Sequence, residues 1–457
     1  MISLSGTLSS AVRALDAQET GLSVTNNNIA NVNTPGYSRQ TVSLAEASPI
    51  NEGSISVGNG VDLLGIQSIQ NELLNLQIQQ QTSQQSSADA QVSALTQIQT
   101  LFPSSGTSLA SALSGFFTSL SALSSNPLDA GNRQTVIANA QTVVQQFNSI
   151  SAGLSAPIAG LNTQVTTDVT QINQLASQAA TLNQQIAQQS GTGQGVGALT
   201  DQLNQVENQL AGLTNISVTH GANGDSITTG NGTALVLGSQ SYALQTSNGP
   251  NGNVQILDNS GTNITKAISG GDLGGTIQVR DTDIPALQTN LDTLANQFGT
   301  AFNAAQAQGY NQNGTAGTAL FTIPTAVAGS AAAIKLATTD PTAIAASSDG
   351  SAGSNGNVAN LTALQTSVLP AGSSATTLSA NLVYQIGSLT SNATAQSTAL
   401  GLSLSSLKAQ QTSESGVSID EESANLIRYQ QAYEAAAKVI TTISSLFDIT
   451  INMIPGS

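Results

Sequence analysis

The sole histidine, His220, sits in Thr219-His220-Gly221 with no cluster of carboxylates beside it in sequence to orient its ring as a base, so it reads as a strand-edge or turn residue. Asp281 and Asp283 are spaced closely enough to pair for acid and base work. They stand immediately before Ile284-Pro285, however, where a helix is expected to open, and helix capping accounts for them better. The segment Asn311-Gln312-Asn313-Gly314-Thr315 has the outline of a calcium loop, but amides replace the carboxylates that hard cations require, which leaves a glycine turn. Asn-x-Ser/Thr triplets such as those at Asn231 and Asn313 arise readily in a Ser/Thr-rich chain and support no glycosylation. Cysteine is absent, which removes disulfides and thiolate chemistry. No catalytic, cofactor-binding or metal-ligating set emerges, and the expectation is a non-enzyme without cofactors.

Composition narrows the partners. Nine Lys plus Arg against 25 Asp plus Glu give a formal charge of −16, and the first lysine is Lys266, so nucleic acid is excluded as a partner. Only 7% of residues are charged, yet 39% are hydrophobic, enough for packed layers, and 457 residues call for two or more domains. The start MISLSGTLSS lacks the basic and apolar regions of a signal peptide, and no apolar run reaches about 18 residues. Neither general secretion nor membrane insertion is expected.

Without a chemical centre, the informative residues are those that build elements. Steps of three and four pick out Met1, Leu4, Leu8, Ala11, Leu15, Gln18, Leu22, Thr25, Ile29 and Val32 at one end of the chain. At the other end they pick out Ile419, Glu422, Leu426, Tyr429, Tyr433, Ala436, Ile440, Ile443, Phe447 and Thr450. Each row is a helical stripe needing a partner, and the two are expected to pair with each other or with neighbouring subunits in a coiled-coil-like layer. Tyr429 and Tyr433, four apart, serve such packing. Ser418 and Glu421 fit a capping box at the start of the second helix, and Asp420, Glu421 and Glu422 suit its positive end.

Between the ends, 66–102 reads as a helix with a polar middle, and stripes run from Leu161 to Ile186, Leu199 to Leu213, Leu287 to Ala305 and Leu378 to Leu407. Short β-branched runs at 234–237, 254–257 and 276–279, divided by Gly and Asn, mark an inserted β domain. Residues 326–357, rich in Ala, Gly, Ser and Thr, read as a linker or mobile loop. The fold class is thus mainly α with inserted β. Its segments are an N-terminal axial helix and motif loop at 1–65, a helical body at 66–215, a small β domain at 216–282 and a helical return at 283–325. The linker at 326–357, a second helical segment at 358–411 and a C-terminal axial helix at 412–457 complete it.

In ANVNTPGYSRQ, Ala30 to Gln40, Pro35 and Gly36 occupy the central positions of a type II turn. With Asn26, Asn27, Asn28 and Ile29 before it, the stretch resembles the N-terminal signature of flagellar rod, hook and hook-associated axial proteins. SGVSIDEESANLIRYQQAYEAAAKVI, Ser415 to Ile440, resembles the end of that superfamily and most closely its hook-associated type 1 family. Further likenesses are VGNGV at Val57, FFTSL at Phe116, NRQTVI at Asn132, GGDLGGTIQVRD at Gly270 and FNAAQAQGY at Phe302. The sequence departs where the family often has Asp-Gln-Arg: Asp201 and Gln202 are followed by Leu203. Material that longer relatives carry after the GY loop is also reduced.

The resemblance implies a structural subunit of the bacterial flagellum, polymerising at the distal hook to form the junction on which the filament assembles. Its motif-loop residues would be Asn31, Thr34, Pro35, Gly36, Tyr37 and Arg39. The assembly interface would comprise Leu4, Leu8, Leu15, Leu22 and Ile29 with Leu426, Tyr429, Tyr433, Ile440, Ile443 and Phe447. Implied partners are copies of the same chain in a ring or helical lattice, hook protein, the adjoining hook-associated protein on the filament side, and an export chaperone on the C-terminal helix. The implied route is synthesis in the cytoplasm and export, without a cleaved signal peptide, to the extracellular flagellum. Another axial subunit, hook protein or flagellin-like, and a secreted surface adhesin are the alternatives.

Overall fold

The computed structural model describes residues 4–52, 55–103, 108–191, 195–221 and 224–452. Met1 of the N-terminal stripe lies outside them. The first helix, α1 (Leu4–Ala30), leads into a long hairpin in which β1 (Gln40–Glu46) pairs antiparallel with β4 (Val61–Ser68). A smaller hairpin of β2 (Ile50–Glu52) and β3 (Ile55–Val57) extends it. The expected 1–65 segment therefore contains strands as well as a helix, and 66–68, expected as helix, finish β4. The helix α2 runs Glu72–Gln99, opened by Asn71, whose side chain accepts from the Leu74 N–H.

The body is built by α2, α3 (Leu109–Ser125), α4 (Ala130–Gly191) and α5 (Gly197–Leu213). Six of the eight phenylalanines meet at its centre. Phe116 lies 5.1 Å from Phe302 and 6.0 Å from Phe321 between ring centroids, and Phe298 lies 5.4 Å from Phe321. Phe117 and Phe147 complete the group, and all six are buried. FFTSL therefore acts through packing. Arg133 of NRQTVI, also buried, donates to the carbonyls of Pro127, Pro341 and Ile344 and so ties α4 to a distant stretch.

The β insert follows α5. Strands β5 (Ile216–Thr219), β6 (Ser226–Thr229), β7 (Ala234–Leu237) and β8 (Gln240–Ser241) form a four-stranded meander, and β9 (Gln245–Asn248) pairs with β10 (Val254–Leu257). Its second hydrophobic core joins Ile227, Val236 and Ile256 to Val169 and Ile172 of α4 and Leu203 and Leu210 of α5. Leu203, standing where the family motif often has arginine, is a core residue here.

Three expectations are corrected downstream. Residues 276–279, expected as strand, lie in α6 (Gly271–Gln278) and the single π-helical turn (Val279–Asp283) that follows. Leu273, Thr276 and Ile277 are buried, and the packing of α6 along α2 overrides the β preference of Thr-Ile-Gln-Val. The chain then passes without a break into α7 (Ile284–Gln306), so neither aspartate caps it. Asp281 instead chelates Arg280 at 2.8 and 2.9 Å, and Asp283 is buried without a capping bond.

Finally, 326–357 is ordered and packed. After β11 (Phe321–Thr322) come α8 (Ser330–Ala333), β12 (Lys335–Leu336), a 3₁₀ turn (Pro341–Ala343) and the start of α9 (Gly356–Ala363). Ala331, Ile334, Ile344, Ala345 and Ala346 are buried, so small side chains that looked like linker material are those that fit a tight cover over the phenylalanines. The neighbouring Asn311 uses its side-chain oxygen to accept from the backbone N–H groups of Asn313 and Thr315, as a turn does. α10 (Ala375–Ser415) returns along α2, and α11 (Ile419–Asn452) closes the described chain.

Candidate assembly site at the paired chain ends

The two terminal helices lie against each other, as their stripes require. On α1 the fully buried line is Ala11, Ala17, Gly21, Val24, Thr25 and Asn28, made of small or polar residues. The expected leucine row, Leu4, Leu8, Leu15, Leu22 and Ile29, runs along its edge and is only half-buried. On α11 Ile443 is buried, whereas Leu426, Tyr429, Tyr433, Ile440 and Phe447 are half-buried. The contact is close at Gly21, where a Cβ would come within 2.6 Å of the Tyr429 ring, with the Arg428 guanidinium 5.5 Å from the ring centroid.

Apolar surface is left over. Val439, Leu446 and Ile449 of α11 remain 46, 46 and 55% exposed. On the hairpin, a bulge between Ser43 and Leu44 leaves Leu64 without a cross-strand partner, and Leu64 is exposed beside the facing pair Leu44 and Leu63. Arg13 of α1 pairs with Asp62 at the same place.

Where the pair meets the body, the motif loop forms a polar knot. Thr34 to Tyr37 is the expected turn, closed by the Tyr37 N–H donating to the Thr34 carbonyl at 3.2 Å, with Gly36 at φ +77° in the position that disfavours any side chain. Thr34, Pro35 and Gly36 are exposed; Asn31, Tyr37 and Arg39 are half-buried. The hub is Asn28, which sequence reasoning placed in the motif but not among the site residues. Its oxygen accepts from the Tyr37 hydroxyl at 2.7 Å and the Gln40 N–H at 3.0 Å. Its amide donates to the Gln40 carbonyl at 2.9 Å and to Glu422 Oε2 at 3.1 Å.

Glu422 is fully buried and receives Arg39 Nε at 2.7 Å, while Arg39 also reaches Glu421 at 2.9 Å. The Glu421 carboxylate is thereby engaged with Arg39, although Ser418 does accept from the Glu421 N–H at 3.5 Å as a cap. Backbone bonds continue the knot, from the Arg39 N–H to the Ser415 carbonyl and from the Ile69 N–H to the Arg39 carbonyl, each 2.8 Å. On the body side, Asp201 accepts from the Ser38 N–H at 2.9 Å and from Gln70 at 2.7 Å. Burial pushes the Asp201 carboxyl up, and the Ser38 and Gln70 donors pull it partly back. Burial first, then the charges of Asp201 and Glu422, raise the Tyr37 hydroxyl to about 12, so it remains a donor at neutral pH. A signal for the hub was present: Glu422 sits on an otherwise apolar stripe, and a carboxylate there must find a donor.

The comparisons agree with this arrangement. Residues 95–321 match the family model described as the flagellar hook-associated protein FlgK helical domain. Residues 409–453 match the flagellar basal body rod FlgEFG protein C-terminal model, and residues 8–37 the flagella basal body rod protein model. Flagellar hook-associated protein 1 of Escherichia coli K12 is 29% identical over 98% of this chain and all of its own length. That of Bacillus subtilis 168 is 29% identical over 97% of each. The chain is thus similar to flagellar hook-associated protein 1 along nearly its whole length. The fold is also matched by the flagellar hook junction protein FlgK from Burkholderia pseudomallei, with TM-score 0.67 and 19% identity over 75% of this chain and all of that one. The rod-type matches fall on α1 with its motif loop and on α11, and the hook-associated helical match falls on the body and β insert. Among the described residues no helix is long and apolar enough to cross a membrane.

Proposed function

We propose that this chain is a structural subunit of the extracellular flagellum, placed at the junction between hook and filament, and that its paired ends are the surface through which it assembles. The observation that carries the reading is the uncovered apolar surface on a helix pair already joined. Having found each other, α1 and α11 still expose Val439, Leu446 and Ile449 and leave the Leu4–Leu22 row half-open. Burial of such surface against a neighbouring copy is favourable at about 25 cal/mol per Å². The polar knot then fixes the angle between the pair and the body, which a subunit matching two lattices needs. Hook protein on one side, the next hook-associated protein on the other and an export chaperone on α11 before assembly are the partners this reading assigns. Electron microscopy of a deletion strain tests it: hooks without filaments, with flagellin shed into the medium, are expected, and loss of the hook itself would instead make the chain a hook subunit.

A further inference from the structure

Two carboxyl pairs, one joining α4 to α6 and one joining α5 to the segment before β6, share one construction. Asp168 of α4, 1% exposed, accepts from Gln164 Nε2 at 2.8 Å through Oδ1, while its Oδ2 is buried with no donor. The same Gln164 amide donates to Asp272 Oδ2 of α6 at 3.0 Å, which sets the two acids side by side. Glu207 of α5, fully buried, accepts from Gln79 Nε2 at 2.9 Å through Oε2, and its Oε1 is again buried without a donor. The acid beside it is Asp225 in the turn before β6, whose backbone N–H is held by Asn183 at 2.9 Å. Glu207, Asp225 and His220 line a cleft of about 640 Å³ between α2, α4, α5 and this turn.

A buried carboxylate oxygen with no donor, facing a second acid, is costly unless a proton occupies the gap. Beside the first pair stand Asp89 of α2, a further negative charge, and Gln164 as the polar neighbour. Beside the second stand His220, whose Nδ1 lies 2.8 Å from Asp225 Oδ1, and Gln79 as the polar neighbour. Among the described residues no lysine or arginine acts on Asp168 or Glu207. We infer that Asp168–Asp272 and Glu207–Asp225 are proton-sharing clasps, the first holding α6 on α4 and the second holding the start of β6 on α5, each while one proton is bound and each loosening when that proton leaves.

Burial first and the neighbouring acid second raise Asp168 to about 7 and Glu207 to about 8. The sign follows directly. Both folded values lie above those of the unfolded chain, so the stabilisation is fully present only below about pH 4, where unfolded carboxyls are also protonated, and is lost progressively from there up to about 7 and 8.

Two measurements test this. In a potentiometric titration from pH 6 to 9, the folded full-length protein should release about two protons more than the same chain in denaturant, where ordinary carboxyls are already ionised. Second, relative to wild type the Asp168→Asn and Glu207→Gln variants should gain in melting temperature progressively from about pH 4, with the gain levelling off above about pH 8, and with amide-exchange protection of 216–283 restored at pH 9 after correction for the intrinsic rate. Equal proton release by folded and denatured wild type would overturn the inference even if the variants failed to fold. So would wild-type and variant melting curves that stay parallel across the range.

Discussion

The phenylalanine core and the terminal helix pair solve the burial problem in opposite ways. In the core, Phe116 is surrounded by other rings and covered by the small residues of 326–357, so none of the six rings is left for a partner. On α1 of the pair the line of full contact is Ala, Gly, Val, Thr and Asn, and apart from the buried Ile443 of α11 the larger Leu, Ile and Tyr side chains of the two stripes sit at its margins, half-wet. A region that folds for itself puts its largest side chains at the centre. One built to assemble keeps them at the edge, where a neighbour completes their burial. The knot separates the two regimes, being polar and hydrogen-bonded around a buried Asn28 and Glu422.

The comparison can be broken most severely in the core. Phe116→Ala should cost about 3–5 kcal/mol, read as a lower denaturant midpoint of the isolated monomer, with helix pairing at the ends changed only as a consequence. A cost below about 1 kcal/mol would mean that the body core is not close-packed. Next comes the knot. Arg39→Ala leaves Glu422 buried with only the Asn28 amide as donor, an effect of about 3 kcal/mol confined to the motif loop and the first turns of α11. Hydrogen exchange should speed up there and stay unchanged in α3 and α7; a uniform loss of protection would show that the knot supports the body as well.

Smaller effects on the monomer should carry larger consequences for assembly. Ile440→Asp places a carboxylate on the half-buried seam and should lower the stability of the pair by about 1–2 kcal/mol while central-domain melting stays near wild type. Cells carrying it should make hooks, leak flagellin and swim poorly, with secretion measured separately so that a chaperone defect is not read as an assembly defect. Val439→Asp lies on the uncovered row and should change monomer stability by less than about 0.5 kcal/mol. It should nevertheless reduce assembly as Ile440→Asp does. Normal filament number with either variant stably exported would remove that row from the assembly surface.

Much of the framework was legible in the chain because it obeys short-range rules. The three-and-four stripes of α1, α7 and α11, the Pro35-Gly36 turn, the Ser418 start of α11 and the strands at 234–237 and 254–257 all follow from side chains a few residues apart. What local rules could not reach was decided by partners distant in sequence. Thr276 to Val279 has a strand composition but is helical because α2 covers it, and 326–357 has a linker composition but is ordered because small side chains fit over a ring cluster. Asn28 and Glu422, 394 residues apart, become one site only when α1 and α11 pair. The acid pairs at Asp168 and Glu207 likewise exist only in three dimensions, since nothing within a few residues of either marks it for burial beside a second carboxyl. Helix periodicity and turn geometry are properties of neighbouring residues, whereas the desolvation of a polar group depends on everything packed around it.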